Sequence, residues 1–67
     1  NMNIEKEILE FLNSNLKKNC SYQIGMRFTR YECKNNIFSF SYEGSDNKQV
    51  FSDVINKTFN LSLLPVT

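Results

Sequence analysis

The chain has no histidine and no tryptophan, and its 67 residues include only one proline, two glycines and two cysteines. Without histidine the commonest general base and metal ligand is missing, and neither a Ser-His-Asp nor a Cys-His arrangement can be assembled within the chain. A phosphate cradle needs a glycine-rich loop, whereas Gly25 and Gly44 lie far apart in the sequence. Two cysteines cannot supply the four ligands of a structural zinc site. The carboxylates Glu5, Glu7, Glu10, Glu32, Glu43, Asp46 and Asp53 fall on expected polar faces, strand ends or caps, where solvated surface accounts for them. The expectation is a chain that is not an enzyme, with no cofactor and no metal.

Net charge is also small. The net charge is +1 and the pI about 8.0. Lys6, Lys17, Lys18, Arg27, Arg30, Lys34, Lys48 and Lys57 are dispersed and interleaved with acids, whereas a dedicated nucleic-acid binder clusters its bases. There is no polybasic block for an anionic membrane and no acidic run. No apolar stretch nears the ~20 residues that span a bilayer. The segment Ile4 to Leu16 is broken by Glu and Lys at regular spacing, unlike a signal peptide. The expected compartment is the cytoplasm, with no membrane contact. The opening Asn1-Met2-Asn3 fits either a start at Met2 or a segment of a longer chain. The many Asn residues, beside Lys, Ile and Phe, are what A/T-rich codons produce. The sequons at Asn19, Asn56 and Asn60 matter only in a secreted protein.

What is present is apolar patterning. A hydrophobic fraction of 40% with six Phe and three Tyr argues for a core rather than disorder. At this length one small domain is expected, stabilised by packing and with a thin margin.

Ile4, Ile8, Phe11, Leu12 and Leu16 recur at helical spacing and predict a helix over about 4–18. Asn3 suits its N-cap, Glu5 and Glu7 the first turn, Lys17 and Lys18 the last, and Asn19 a left-handed stop. Alternation follows over about 21–32, with Tyr22, Ile24, Met26 and Phe28 on one side. A second alternating run covers about 37–43, with Phe38, Phe40 and Tyr42 together. Cys33 to Asn36 is turn chemistry. A two-residue Asn35-Asn36 loop would pair Cys33 with Phe38 and split the apolar rows between faces. An odd loop, Lys34 to Asn36, would pair Phe28 with Tyr42 and keep the rows together, and this is the register expected. Arg30, on the apolar row, must then escape at the strand end or pair with Glu32 or Glu43.

After Gly44-Ser45 a second helix is expected over about 47–60, with Val50, Phe51, Val54, Ile55 and Thr58 on one arc and Asp46 with Gln49 resembling a capping box. The competing reading makes Lys48 to Phe51 a third strand. Residues 61–66 suit an edge strand in which Pro65 is tolerated. Cys20 and Cys33, at opposite ends of a strand roughly 40 Å long, are expected to stay unbridged, one thiol buried and one in the turn. The fold class is α+β, ordered α-β-β-α(-β), with two helices on one face of a small antiparallel sheet built on a central hairpin.

Such a sheet leaves one face open, expected to carry Gln23, Arg27, Thr29, Tyr31, Ile37, Ser39 and Ser41. Tyr and Arg anchors among small polar residues compose a contact surface, although an open antiparallel face is polar in any case. Three functions follow. The first is a protein-binding module, such as a small regulator or inhibitor, working through the open face or the sheet edge. The second is an RNA-binding domain stacking bases on Tyr31. The third is a dimerisation or sensory domain of a larger protein. Near-neutral charge and dispersed bases favour a protein partner over nucleic acid, and the third reading makes a homo-oligomer, with a second copy as the partner.

Overall fold

The computed structural model describes residues 3–60. Helix α1 spans Ile4–Lys18, strand β1 Arg27–Lys34, strand β2 Ile37–Glu43 and helix α2 Lys48–Phe59. The strands form a two-stranded antiparallel sheet, so the fold is the expected small α+β arrangement in the order α-β-β-α. The edge strand expected over residues 61–66 lies outside the described residues.

Helix α1 starts as its sequence dictates: the Asn3 side chain accepts the Lys6 N–H at 3.1 Å, and Glu5 and Glu7 face the positive end of the helix dipole. Its end differs from expectation. Asn19 is extended (φ −71°, ψ 136°) rather than left-handed. The buried stripe is also rotated: Leu12 and Leu16 are fully buried and Ile8 and Leu9 partly, while Ile4 and Phe11 stay 62% and 56% exposed.

The first strand begins at Arg27, not near Ser21, because residues 19–26 fold into turns. The Tyr22 N–H bonds the Asn19 carbonyl and the Met26 N–H the Gln23 carbonyl, with Gly25 at φ +102°. Gly25 is pressed against Gly44 (φ +97°). A Cβ on Gly44 would fall 2.0 Å from the Gly25 carbonyl oxygen, so both the backbone conformation and the space there require glycine.

The hairpin register corrects the expected odd loop. Asn35 (φ 52°) and Asn36 (φ 64°) make a two-residue loop, with positive φ at both central positions as a type I′ turn demands. Cys33 therefore pairs with Phe38 and Tyr31 with Phe40. The ladder shifts by one residue between Phe28 and Arg30, so Thr29 is the extra residue of a β-bulge and Phe28 pairs with Tyr42. The bulge resolves the conflict between loop and pattern. Phe28 and Tyr31, three residues apart, point to the same side, and the aromatic rows of both strands meet under the helices.

Helix α2 occupies the segment read alternatively as a third strand. Its cap is Asn47, whose side chain accepts the Gln49 N–H at 3.2 Å, rather than Asp46. Asn60 closes it in the left-handed conformation (φ 59°). Val50, Phe51 and Val54 are buried. Phe51 stacks on Tyr42 (centroids 4.1 Å apart) and meets Phe28 edge-on at 5.3 Å. At the other end of the sheet, Tyr31 gathers Phe38, Phe40 and Phe59 within 5.5–6.2 Å. Burying a side chain such as Phe28 or Phe51 contributes about 1.5–3 kcal/mol. Cys20 and Cys33 are both free and both exposed, so neither is the buried thiol expected.

Candidate functional site

The structure divides the expected open face. Arg27, Ile37, Ser39 and Ser41 do share the helix-free side of the sheet and are exposed. Gln23 does not belong to it, since it sits in the turn before β1 with its N–H on the Met26 sulfur. Thr29 is the half-buried bulge residue. Tyr31 lies on the core side, 6% exposed, because the bulge reverses the alternation. Burial raises the pKa of its hydroxyl above the usual tyrosine value, and nearby Cys33 and Glu5 raise it further.

In place of Tyr31 the open face holds Arg30, Glu32 and Lys34, which simple alternation from Phe28 put on the other row. Glu32 pairs with Arg30 and, at 3.4 Å, with Lys34, while Arg27 pairs with Glu43 at 3.3 Å. The signal for this was present in Asn35-Asn36, two residues that tolerate positive φ. A two-residue loop with the aromatics of both strands on one side requires a bulge. Among the described residues no group of His, Cys, Asp and Glu could hold a metal ion, and no helix is long and apolar enough to cross a membrane. The concavities are shallow, such as the cleft between the helices lined by Asn15, Lys18, Asn19, Val54 and Lys57.

The two edges of the sheet are treated differently. In a two-residue hairpin Lys34 and Ile37, flanking the loop, exchange hydrogen bonds. Cys33, Tyr31 and, beyond the bulge, Phe28 then direct their N–H and C=O groups away from β2. Helix α1 lies along that outer edge of β1. The Asn13 side-chain amide accepts the Phe28 N–H at 2.7 Å and donates to the Phe28 carbonyl at 3.0 Å. Glu5 accepts the Cys33 N–H at 3.4 Å.

By the same alternation Phe38, Phe40 and Tyr42 direct their N–H and C=O groups away from β1, along the outer edge of β2. No hydrogen-bonding partner meets those groups among the described residues. Strand β2 contains no proline and no lysine, its one charged residue is Glu43 at the end, and its ladder is unbulged on its own side. Phe38 is 53% exposed beside this edge, and Ile37 is 66% exposed on the open face. Proline, lysine and a bulge, three devices that blunt an edge strand, are therefore missing from β2, and among the described residues nothing covers it. Comparison of the chain with protein-family models, with curated proteins and with solved structures found no match.

Proposed function

We propose that this chain is a non-enzymatic protein-binding module that accepts an extended strand along the free edge of β2. The observation that carries the reading is the asymmetry of the sheet. Helix α1 meets both outward groups of Phe28 and the N–H of Cys33, three of the six on that edge, whereas none of those of Phe38, Phe40 and Tyr42 is paired within the described residues. Strand addition draws affinity from main-chain hydrogen bonds and specificity from alternate side chains. Here the flanking side chains are aromatic on one face and mainly Ser39 and Ser41 on the other. The open face plays the supporting part. Its bases Arg27, Arg30 and Lys34 are each paired with Glu43 or Glu32, three bases against two acids, which leaves little free charge for phosphate. The RNA-binding alternative also loses its stacking platform with the burial of Tyr31. A small regulator or inhibitor is the kind of protein that works this way, and the two exposed free thiols suit a reducing, cytoplasmic setting.

The test is selection of extended octapeptides from a displayed library on the immobilised chain, followed by amide exchange of the complexes. Binders should protect the amides of Phe38, Phe40 and Tyr42. Binding should weaken with Phe38→Pro, which removes one outward N–H, but not with Phe38→Ala, which keeps it. Binders whose protection maps to α1, or salt-sensitive binding of mixed oligonucleotides in their place, would sink the reading.

A further inference from the structure

We propose that the strand received by β2 is β2 of a second copy, so that two chains join through an antiparallel, two-fold seam centred on Phe40 into one four-stranded sheet. The inference rests on the edge-binding reading above and names the occupant.

Three features of the strand point to itself as partner. The first is hydrogen-bond parity. The outward groups belong to Phe38, Phe40 and Tyr42, evenly spaced about Phe40. With Phe40 opposite Phe40 of the second copy, Phe38 falls opposite Tyr42 and Tyr42 opposite Phe38. Each outward N–H then finds an outward C=O, and none is left over within the seam.

The second is the lack of charge conflict on the open face. Reading across the four strands, one row runs Arg27, Glu43, then Ile37 and Lys34 of the second copy. The next runs Arg30, Ser41, then Ser39 and Glu32 of the second copy. Glu43, the single charge of β2, keeps Arg27 of its own chain on one side and faces Ile37 of the second copy on the other, so no like charges meet at the seam. In this register Ser39 faces Ser41 across a non-hydrogen-bonded position, where cross-strand side chains come closest. Small side chains there let the strands approach.

The third is apolar closure. The half-exposed Phe38 would come beside Tyr42 of the second copy, on the face where α2 packs. A symmetric contact of this kind is self-complementary and closed, so it ends at two copies.

The experiment is sedimentation equilibrium on the full chain with two paired variants that discriminate register. Ser39→Lys with Ser41→Lys sets Lys against Lys twice across the seam, whereas Ser39→Lys with Ser41→Glu sets Lys against Glu twice. The chain should be dimeric. The first variant should weaken dimerisation by about tenfold and the second strengthen it by about tenfold, with circular dichroism unchanged in both. Amide exchange of Phe38, Phe40 and Tyr42 should slow with protein concentration. A monomer at high concentration overturns the proposal. If those amides are nevertheless protected in the monomer, the edge belongs to residues 61–67 of the same chain. If they are unprotected, it is open to a different protein. A dimer indifferent to both variants also overturns it, since the seam then lies elsewhere. None of these results decides the octapeptide selection, whose outcome reports on edge binding alone.

Discussion

The outer edges of β1 and β2 carry the same backbone chemistry and meet different fates. Along β1, α1 supplies polar side chains that act as a substitute strand: Asn13 takes both groups of Phe28, and Glu5 takes the N–H of Cys33. Along β2 no such substitute exists among the described residues, and the flanking side chains are aromatics and serines. An edge strand is a liability that folded proteins ordinarily cover, twist away or charge. One edge meets a dedicated amide and the other meets no partner among the described residues, and this is the difference on which the proposed strand binding rests.

The largest effect should come from breaking the covered edge. Asn13→Leu keeps the volume on α1 but leaves the Phe28 N–H and C=O without partners in a part-buried site. Unsatisfied groups of this kind cost about 1–3 kcal/mol each, so we expect a loss of about 3 kcal/mol, read by urea denaturation. A loss under about 1 kcal/mol would mean that Asn13 decorates the edge rather than closing it. Next is Gly44→Ala, at the point where the bare strand ends. The clash with the Gly25 carbonyl and the positive φ together should cost at least about 2 kcal/mol in the same assay.

These two positions also show how far the sequence could be read. The helices, the hairpin and the shared aromatic face follow from spacing alone, because burial of Leu12, Leu16, Phe28, Phe51 and Val54 rewards a period that the residues announce. The bulge was harder. Alternation from Phe28 forecasts Arg30 inward and Tyr31 outward, and only a choice between competing constraints reverses it. The Asn35-Asn36 turn fixes one end of the ladder and the pairing of Phe28 with Tyr42 fixes the other, so the surplus residue must fall between them, at Thr29. The displaced alternation carried the expected contact face with it: four of its residues stay together, while Tyr31 moves into the core. The role of Asn13 was not legible, since a polar residue on a helix gives no sign that it will meet a strand fifteen residues on.

Substitution at the bare edge should be far gentler to the fold. Ser39→Lys with Ser41→Lys changes two exposed side chains that bury nothing within the chain. The stability of the single chain, measured at dilution, should stay within about 0.5 kcal/mol of the parent. The contrast with Asn13→Leu is the sharpest form of the comparison: one change unpairs two backbone groups of β1, the other unpairs none. Comparable losses at both edges would show that β2 is also structurally committed.

The smallest effect at neutral pH concerns the residue that joins the two edges. Tyr31 sits in β1 near Glu5, and its ring packs on Phe38 and Phe40 of β2. Burial first, then the negative charges of Cys33 and Glu5, raises its pKa in the folded chain. The folded state therefore holds the phenol proton more tightly than the unfolded state does. That stabilisation is fully present below the ordinary tyrosine pKa of about 10 and is lost as pH rises through the folded value. Tyr31→Phe should leave the melting temperature nearly unchanged at pH 7, since the ring and its stacking remain. Above pH 10 the parent should lose stability faster than the variant. Glu5→Gln should make the alkaline loss of stability only slightly smaller than in the parent, because burial is the larger cause. If Tyr31→Phe melts with the same alkaline slope as the parent, ionisation of Tyr31 does not set that limb, and the ring couples the two edges by packing alone.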